Sequence, residues 1–196
     1  MSREFKVACV QICAEENVAQ NIDKAVSLGR QAAAEGAELI CLPENFTCLE
    51  PQDTFYLSRG FTEQNHPALE VFPALAAELG VVLALGSLTI QRPDGRVSNR
   101  SYVFGPDAKC LAVYNKIHLF DVALRGGEMY RESATVAPGE QLAWASLPWG
   151  KLGLSICYDV RFPHLYRELA QQGADFLAVP AAFTATTGEA HWHVLL

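Results

Sequence analysis

The sequence predicts an α/β fold with a mixed sheet, on three observations. Two apolar strand-like runs near the start are each followed by a stretch of helical period. The middle of the chain carries hairpin signals, which require antiparallel neighbours. A strand–helix–strand unit then returns near residue 151. Helices of such a chain cover one sheet face. If the strands exceed one sheet, two mixed sheets stack and the helices lie outside, in a four-layer α-β-β-α sandwich.

Residues 5–12, FKVACVQI, read as a buried strand. Asn17 can cap a helix over about 18–35, with Ile22, Ala25, Val26, Gly29, Ala32 and Ala33 as its stripe and Gly36 at its end. AELICLP is a second strand ended by Pro43, followed by a polar, aromatic loop to about residue 65. HPALEVFPALAAELG reads as a helix with Pro67 near its start and Gly80 after its end; Pro73 predicts a kink or a late start. VVLALGSLTIQ and SNRSYVFG form a hairpin through RPDGR, and CLAVYNK follows as a strand. Residues 117–139 show little periodicity and read as a long surface loop. QLAWASLP and KLGLSICY pair around Pro148-Trp149-Gly150, HLYRELAQQ is a helix capped by Gly173, and ADFLAVP is the strand after it.

Composition narrows the class. Residues 1–196 suit one domain, and with half of them hydrophobic a large core is within reach. The net charge of −7 and the lack of a Lys/Arg cluster argue against nucleic acid or an anionic membrane as partner. The longest apolar run, 81–88, is too short to span a bilayer, and the first residues lack a secretion signal, so a cytoplasmic protein is expected. Cys9, Cys13, Cys41, Cys48, Cys110 and Cys157 include no CxxC pair. They read as reduced, mostly buried thiols, with no metal site.

The stretch that organises the chain is KLGLSICYDVRFP, residues 151–163. Leu152, Leu154 and Ile156 alternate as in a strand, and Pro163 opens a helix. Cys157 sits where one becomes the other, a rigid place for a nucleophile and also a common place for a packed thiol. Three more polar residues punctuate the apolar pattern: Glu44 after ICLP, Lys116 after VYN, and Glu132 in the long loop. Singly, each reads as a solvated surface charge. Together they suit acyl transfer: a carboxylate base for the thiol, an ammonium for the oxyanion, and a second carboxylate to hold the lysine. His118, His164, His191 and His193 read as capping or surface residues.

LPENF at 42–46, YNKIHLFDV at 114–122 and GLSICYDVRFP at 153–163 resemble the Glu, Lys and Cys motifs of the nitrilase (carbon–nitrogen hydrolase) superfamily, in the family's order. HLFDV and RESATVAPG resemble its Nit-type amidase branch, and the likeness spans the chain. The resemblance implies Glu44 as general base and acid, Lys116 as oxyanion stabiliser, Cys157 as nucleophile and Glu132 as the supporting glutamate. It implies the Tyr158 N–H as a second oxyanion donor, and Arg161 as an arginine beside the elbow that holds Asp159 or a loop. It further implies a small carboxamide substrate, either deaminated glutathione or the ω-amide of a 2-oxo dicarboxylic acid. That substrate is hydrolysed through a cysteine thioester, without cofactor or metal, by a homodimer in the full-length form. Other superfamily chemistry, on nitriles or N-carbamoyl amides, is the neighbouring reading; an inactive fragment or binding module is the reading from a different class. His164 stands where many relatives carry Glu. Relatives also continue past the equivalent of Leu196, so the sandwich is expected to be incomplete at that end and activity of the 196-residue form reduced.

Overall fold

The computed structural model describes residues 4–49, 61–124 and 127–196. Its first half builds a six-stranded mixed sheet. β1 (Val7–Cys9), β2 (Leu39–Cys41) and β3 (Val82–Ala84) run parallel, joined through α1 (Val18–Ala34) and α2 (Pro67–Leu79). β4 (Leu88–Gln91), β5 (Val97–Phe104) and β6 (Cys110–Asn115) are added antiparallel, giving the order β1-β2-β3-β5-β4 with β6 on the other edge of β5. β7 (Asp121–Ala123) and β8 (Met129–Arg131) form a separate hairpin. β9 (Trp144–Leu147), β10 (Gly150–Leu154) and β11 (Phe176–Ala178) form a three-stranded sheet, in which α3 (Pro163–Gln171) links the parallel pair β10 and β11. α4 (Ala185–Leu195) follows.

Strand alternation makes the layers. Ile40, Leu83, Tyr102 and Phe104 point to one face of the large sheet, where they bury against Ile22 and Ala25 of α1 and Phe72 and Leu75 of α2. Leu39, Val82, Ala84 and Val103 point to the other, against Ala145, Leu152 and Leu154 of the small sheet. α3 covers the far side of the small sheet with Leu165 and Leu169, and a Cβ added at Gly153 would stand 3.2 Å from Leu169 Cδ1. The result is the α-β-β-α stack expected for two sheets. Full burial of each large side chain in these interfaces stabilises the fold by about 1.5–3 kcal/mol.

The local signals for α1 and α2 hold. The Asn17 side chain accepts from the Gln20 N–H at 3.1 Å. α2 begins at Pro67 and ends on left-handed Gly80. Its N-cap is His66, which is 4% exposed and accepts from the Ala68 N–H through Nδ1 at 3.2 Å. Burial pushes the His66 imidazole down to about 4, so the cap is the neutral ring.

Several expectations change. α2 starts at Pro67 and contains Pro73; Ala68, Phe72, Leu75 and Ala76, buried around the proline, hold it helical at the cost of one amide donor. β1 is not a buried strand: as the edge of the large sheet it leaves Val7 and Cys9 exposed. The thiols are not mostly buried either. Cys9, Cys13 and Cys110 are exposed and Cys41 is intermediate, while Cys48 and Cys157 are buried. VVLALGSLTIQ is two strands along one edge of β5, because the register slips by one residue between Ala84↔Val103 and Leu88↔Arg100. Gly86 sits in that slip, where an added Cβ would lie 2.0 Å from the Pro43 carbonyl oxygen. Residues 117–139 are not a plain surface loop: they hold the β7–β8 hairpin, a 3₁₀ turn over Glu132–Ala134, and buried Val136 and Ala137. The hairpin strands, Asp121–Ala123 and Met129–Arg131, lie in no apolar run that would mark them. Of the loop expected up to residue 65, residues 50–60 lie outside the described residues.

Candidate active site

Cys157 is held by three neighbouring contacts. Its N–H donates to the Pro180 carbonyl at 2.9 Å, the Ser155 N–H donates to the Ala178 carbonyl at 3.2 Å, and the Ser155 hydroxyl donates to that same carbonyl at 2.7 Å. Strand β10 therefore delivers the thiol while the segment after β11 clamps its backbone. Cys157 adopts φ +49°, a left-handed conformation that costs a non-glycine residue about 1–2 kcal/mol. Asn45, next to Glu44, shares that φ. Such strain gathers where surrounding structure must hold a reactive group in place.

Asp159, fully buried, ties the elbow to the segment after β6. It accepts from the Tyr114 hydroxyl at 2.7 Å, the Ile156 N–H at 2.9 Å and the His118 N–H at 2.9 Å, and it pairs with His118 Nδ1 at 2.8 Å. The His118 ring stacks on Phe162 at 3.7 Å between centroids. Lys116, two residues before His118, thus has its loop anchored two residues beyond Cys157. Arg161 does not hold Asp159. In a 3₁₀ turn, residues two apart face different ways, and the Arg161 guanidinium instead lies 5.9 Å from the Tyr158 ring centroid. His118 is likewise a structural partner of the elbow, not a surface residue.

Glu44 follows β2 and is held by the register slip in the large sheet. The Ser87 N–H donates to the Pro43 carbonyl at 3.3 Å, and the Asn45 N–H donates to the Ser87 hydroxyl at 3.0 Å. The Glu44 carboxylate meets Lys116 Nζ at 3.1 Å, Asn99 Nδ2 at 2.9 Å and the Ala182 N–H at 2.9 Å, and it shares one cavity wall with Cys157. Lys116 Nζ also meets both oxygens of Glu132 at 3.0 Å. Glu132 accepts in addition from the Phe120 N–H at 2.6 Å and from Asn99 Nδ2 at 3.4 Å. The structure therefore brings together Glu44, Lys116, Glu132 and Cys157, with Tyr158 beside them. Glu44, Glu132, Cys157 and Tyr158 line one cavity of about 430 Å³. Lys116, 2% exposed, is packed behind the carboxylates.

A match to the family model described as Carbon-nitrogen hydrolase covers residues 6–196. The chain belongs to the carbon–nitrogen hydrolase family. It is 40% identical over 205 residues to the deaminated glutathione amidase of Synechocystis sp., covering 99% of this chain and 72% of that protein. It is 35% identical over 192 residues to the omega-amidase NIT2 of Danio rerio, covering 98% and 68%. The solved structure of Saccharomyces cerevisiae Nit3, of the nitrilase superfamily, superposes with a TM-score of 0.85 at 30% identity over 97% of this chain and 69% of that one. A glutamate-to-glutamine mutant of an amidase from Nesterenkonia sp. AN1, with acrylamide added at its active-site cysteine, gives 0.82 at 25% identity over 96% and 71%.

The electrostatics of this carbon–nitrogen hydrolase site follow from burial and pairing. Burial alone would raise the Glu44 carboxyl; the Lys116 charge and hydrogen bonds from Lys116 and Asn99 overcome it and hold Glu44 below the usual carboxylate range. Burial would lower Lys116, but Glu44 and Glu132 press it above its ordinary value. Burial and then the Glu44 charge raise Cys157 well above an ordinary thiol. The resting site is therefore a protonated thiol beside an ionised carboxylate. No described helix is long and apolar enough to cross a membrane, and no cluster of three His, Cys, Asp or Glu among the described residues could hold a metal.

Sequence reasoning missed Asn99, which touches both carboxylates, and the Asp159–His118–Tyr114 clamp. Asn99 left no signal, because it sits among the polar Ser98, Arg100 and Ser101 of β5. The Ala182 and Phe120 N–H groups left none, since a backbone donor has no letter of its own.

Proposed function

We propose that this protein is an amidase that hydrolyses a small carboxamide through a thioester on Cys157. Glu44 removes the Cys157 proton as the sulfur attacks the amide carbon. Generating the thiolate only during attack fits a resting thiol whose carboxylate neighbour is already ionised. The carbonyl oxygen gains negative charge and is stabilised by the Lys116 charge and the Tyr158 N–H. Glu44 passes its proton to the departing nitrogen, so amide and thiol become thioester and ammonia. Water, deprotonated by Glu44, then releases the carboxylic acid and regenerates the thiol. Glu132 fixes Lys116 against Glu44. The observation that carries this reading is the Glu44 carboxylate, bonded to the Lys116 ammonium, on the same cavity wall as Cys157.

The substrate is deaminated glutathione or the ω-amide of a 2-oxo dicarboxylic acid, a reading supported by the likeness to a deaminated glutathione amidase and an omega-amidase. Residues 1–196 belong to a single carbon–nitrogen hydrolase domain, in the cytoplasm, and the full-length form assembles as a homodimer. The test is ammonia release from 2-oxoglutaramate by the parent and by Cys157→Ala. Turnover by the parent that falls at least a hundredfold in the variant supports the reading; equal rates, or no ammonia from any carboxamide, would reject it.

A further inference from the structure

We propose that Arg131 is a specificity residue of this site, binding a free carboxylate at the end of the substrate remote from the scissile amide. The inference rests on the amidase reading and adds the chemistry of the tail. The cavity of about 430 Å³ is much larger than a carboxamide group, so most of it receives the rest of the molecule. Phe120, Tyr130, Tyr158 and Phe183 give it aromatic walls. Its charged lining residues, among those described, are Glu44, Glu132 and Arg131. Both glutamates are engaged by Lys116, Asn99 and backbone N–H groups. Arg131 is the one cation on the described wall, and no carboxylate pairs with it within 4 Å among the described residues. Asp121, opposite it on β7, feels the Arg131 charge, but its carboxylate is engaged by the Ser133 N–H at 3.0 Å.

Charge then orients the ligand. Glu44, Lys116 and Glu132 sum to one negative charge, which repels a carboxylate from the Cys157 end. Arg131 is exposed as well as lining the cavity, which places the residue at the rim, within reach of the tail of a bound molecule. A guanidinium grips a carboxylate through two parallel N–H groups, a geometry that a neutral tail cannot use. Arg131 directly precedes Glu132, so the segment that fixes Lys116 also fixes the distance from the reacting carbon to the tail site.

The experiment compares glutaramate with pentanamide, which share a chain length and differ in the terminal carboxylate. The ratio of their kcat/KM values is measured for the parent, Arg131→Met and Arg131→Lys. The expected result is a ratio that favours glutaramate and falls about ten- to hundredfold in Arg131→Met, mainly through KM, with partial recovery in Arg131→Lys. Calorimetric titration with glutarate reads the same subsite without turnover, and Arg131→Met should weaken it at least tenfold. A ratio and a glutarate affinity that Arg131→Met leaves unmoved would overturn the proposal. Ammonia from neither amide, with glutarate binding still dependent on Arg131, would overturn the amidase reading and keep the carboxylate subsite.

Discussion

At the scale of single residues, the site is a short chain of charges with one neutral spacer. Lys116 lies between two carboxylates, and Asn99 donates both amide hydrogens toward them, at 2.9 and 3.4 Å. The Asn99 Oδ1 atom is buried without a partner, so the residue is placed for its donors alone. Asn99 contributes to holding Glu44 below its ordinary range. Asn99→Ala should therefore lower kcat by about ten- to hundredfold, the worth of hydrogen bonds to a charged group. It should also move the acid limb of the kcat/KM profile to higher pH, because Glu44 then protonates more readily. A rate loss without a moved limb would mean that Asn99 only fills space. Glu44, Lys116 and Cys157 were legible because each ends an apolar run, and Glu132 because its RES segment, like their motifs, resembles one family. Asn99 was not, because a strand residue that contacts two distant segments has no local signature. Of the two expectations for Arg161, contact with Asp159 is not found, because Asp159 turns inward to Tyr114 and His118.

At the scale of elements, caps and register were partly legible. Asn17, Pro67 and Gly80 stand where helix-end chemistry places them. His66 does not belong to the usual cap residues, and only its burial shows that it works as a neutral acceptor. Its folded-state value of about 4 lies below the ordinary 6.5. A depressed histidine gives stability that is complete above pH 6.5 and is lost as pH falls from there through about 4, because the unfolded chain binds the proton first. The full effect is about 3 kcal/mol. Urea midpoints measured from pH 7 to pH 4 should fall for the parent and fall less for His66→Asn, which keeps a capping acceptor that does not titrate. Parallel curves would remove His66 from the explanation. The register slip at Gly86 could not be read from VVLALGSLTIQ, because the requirement comes from Pro43, whose carbonyl occupies the space of a Cβ.

At the scale of the whole molecule, the two sheets end side by side. β1 is the edge of the large sheet and β11 the edge of the small one, with Val7 44% and Leu177 47% exposed. A second cavity of about 360 Å³ opens there, lined by Phe5, Leu152, Phe176 and Trp192 among others. Unpaired strand edges beside apolar surface favour association. Light scattering should show the 196-residue chain self-associating with rising concentration, and Leu177→Lys should reduce it; a parent that stays monomeric throughout would contradict this. The four-layer order was legible from the sequence of strands and helices, while the β7–β8 hairpin was not, since Asp121–Ala123 and Met129–Arg131 lie in no apolar run. All three scales meet at Cys157, which strand, elbow and neighbouring sheet hold against Glu44. The most direct measurement is rapid acid quench of the enzyme with glutaramate, followed by mass spectrometry of its peptides. The expected result is an adduct of substrate mass less ammonia on the peptide carrying Cys157, with no ammonia release from Cys157→Ala. Ammonia release undiminished in Cys157→Ala, or an adduct on another cysteine, would contradict it.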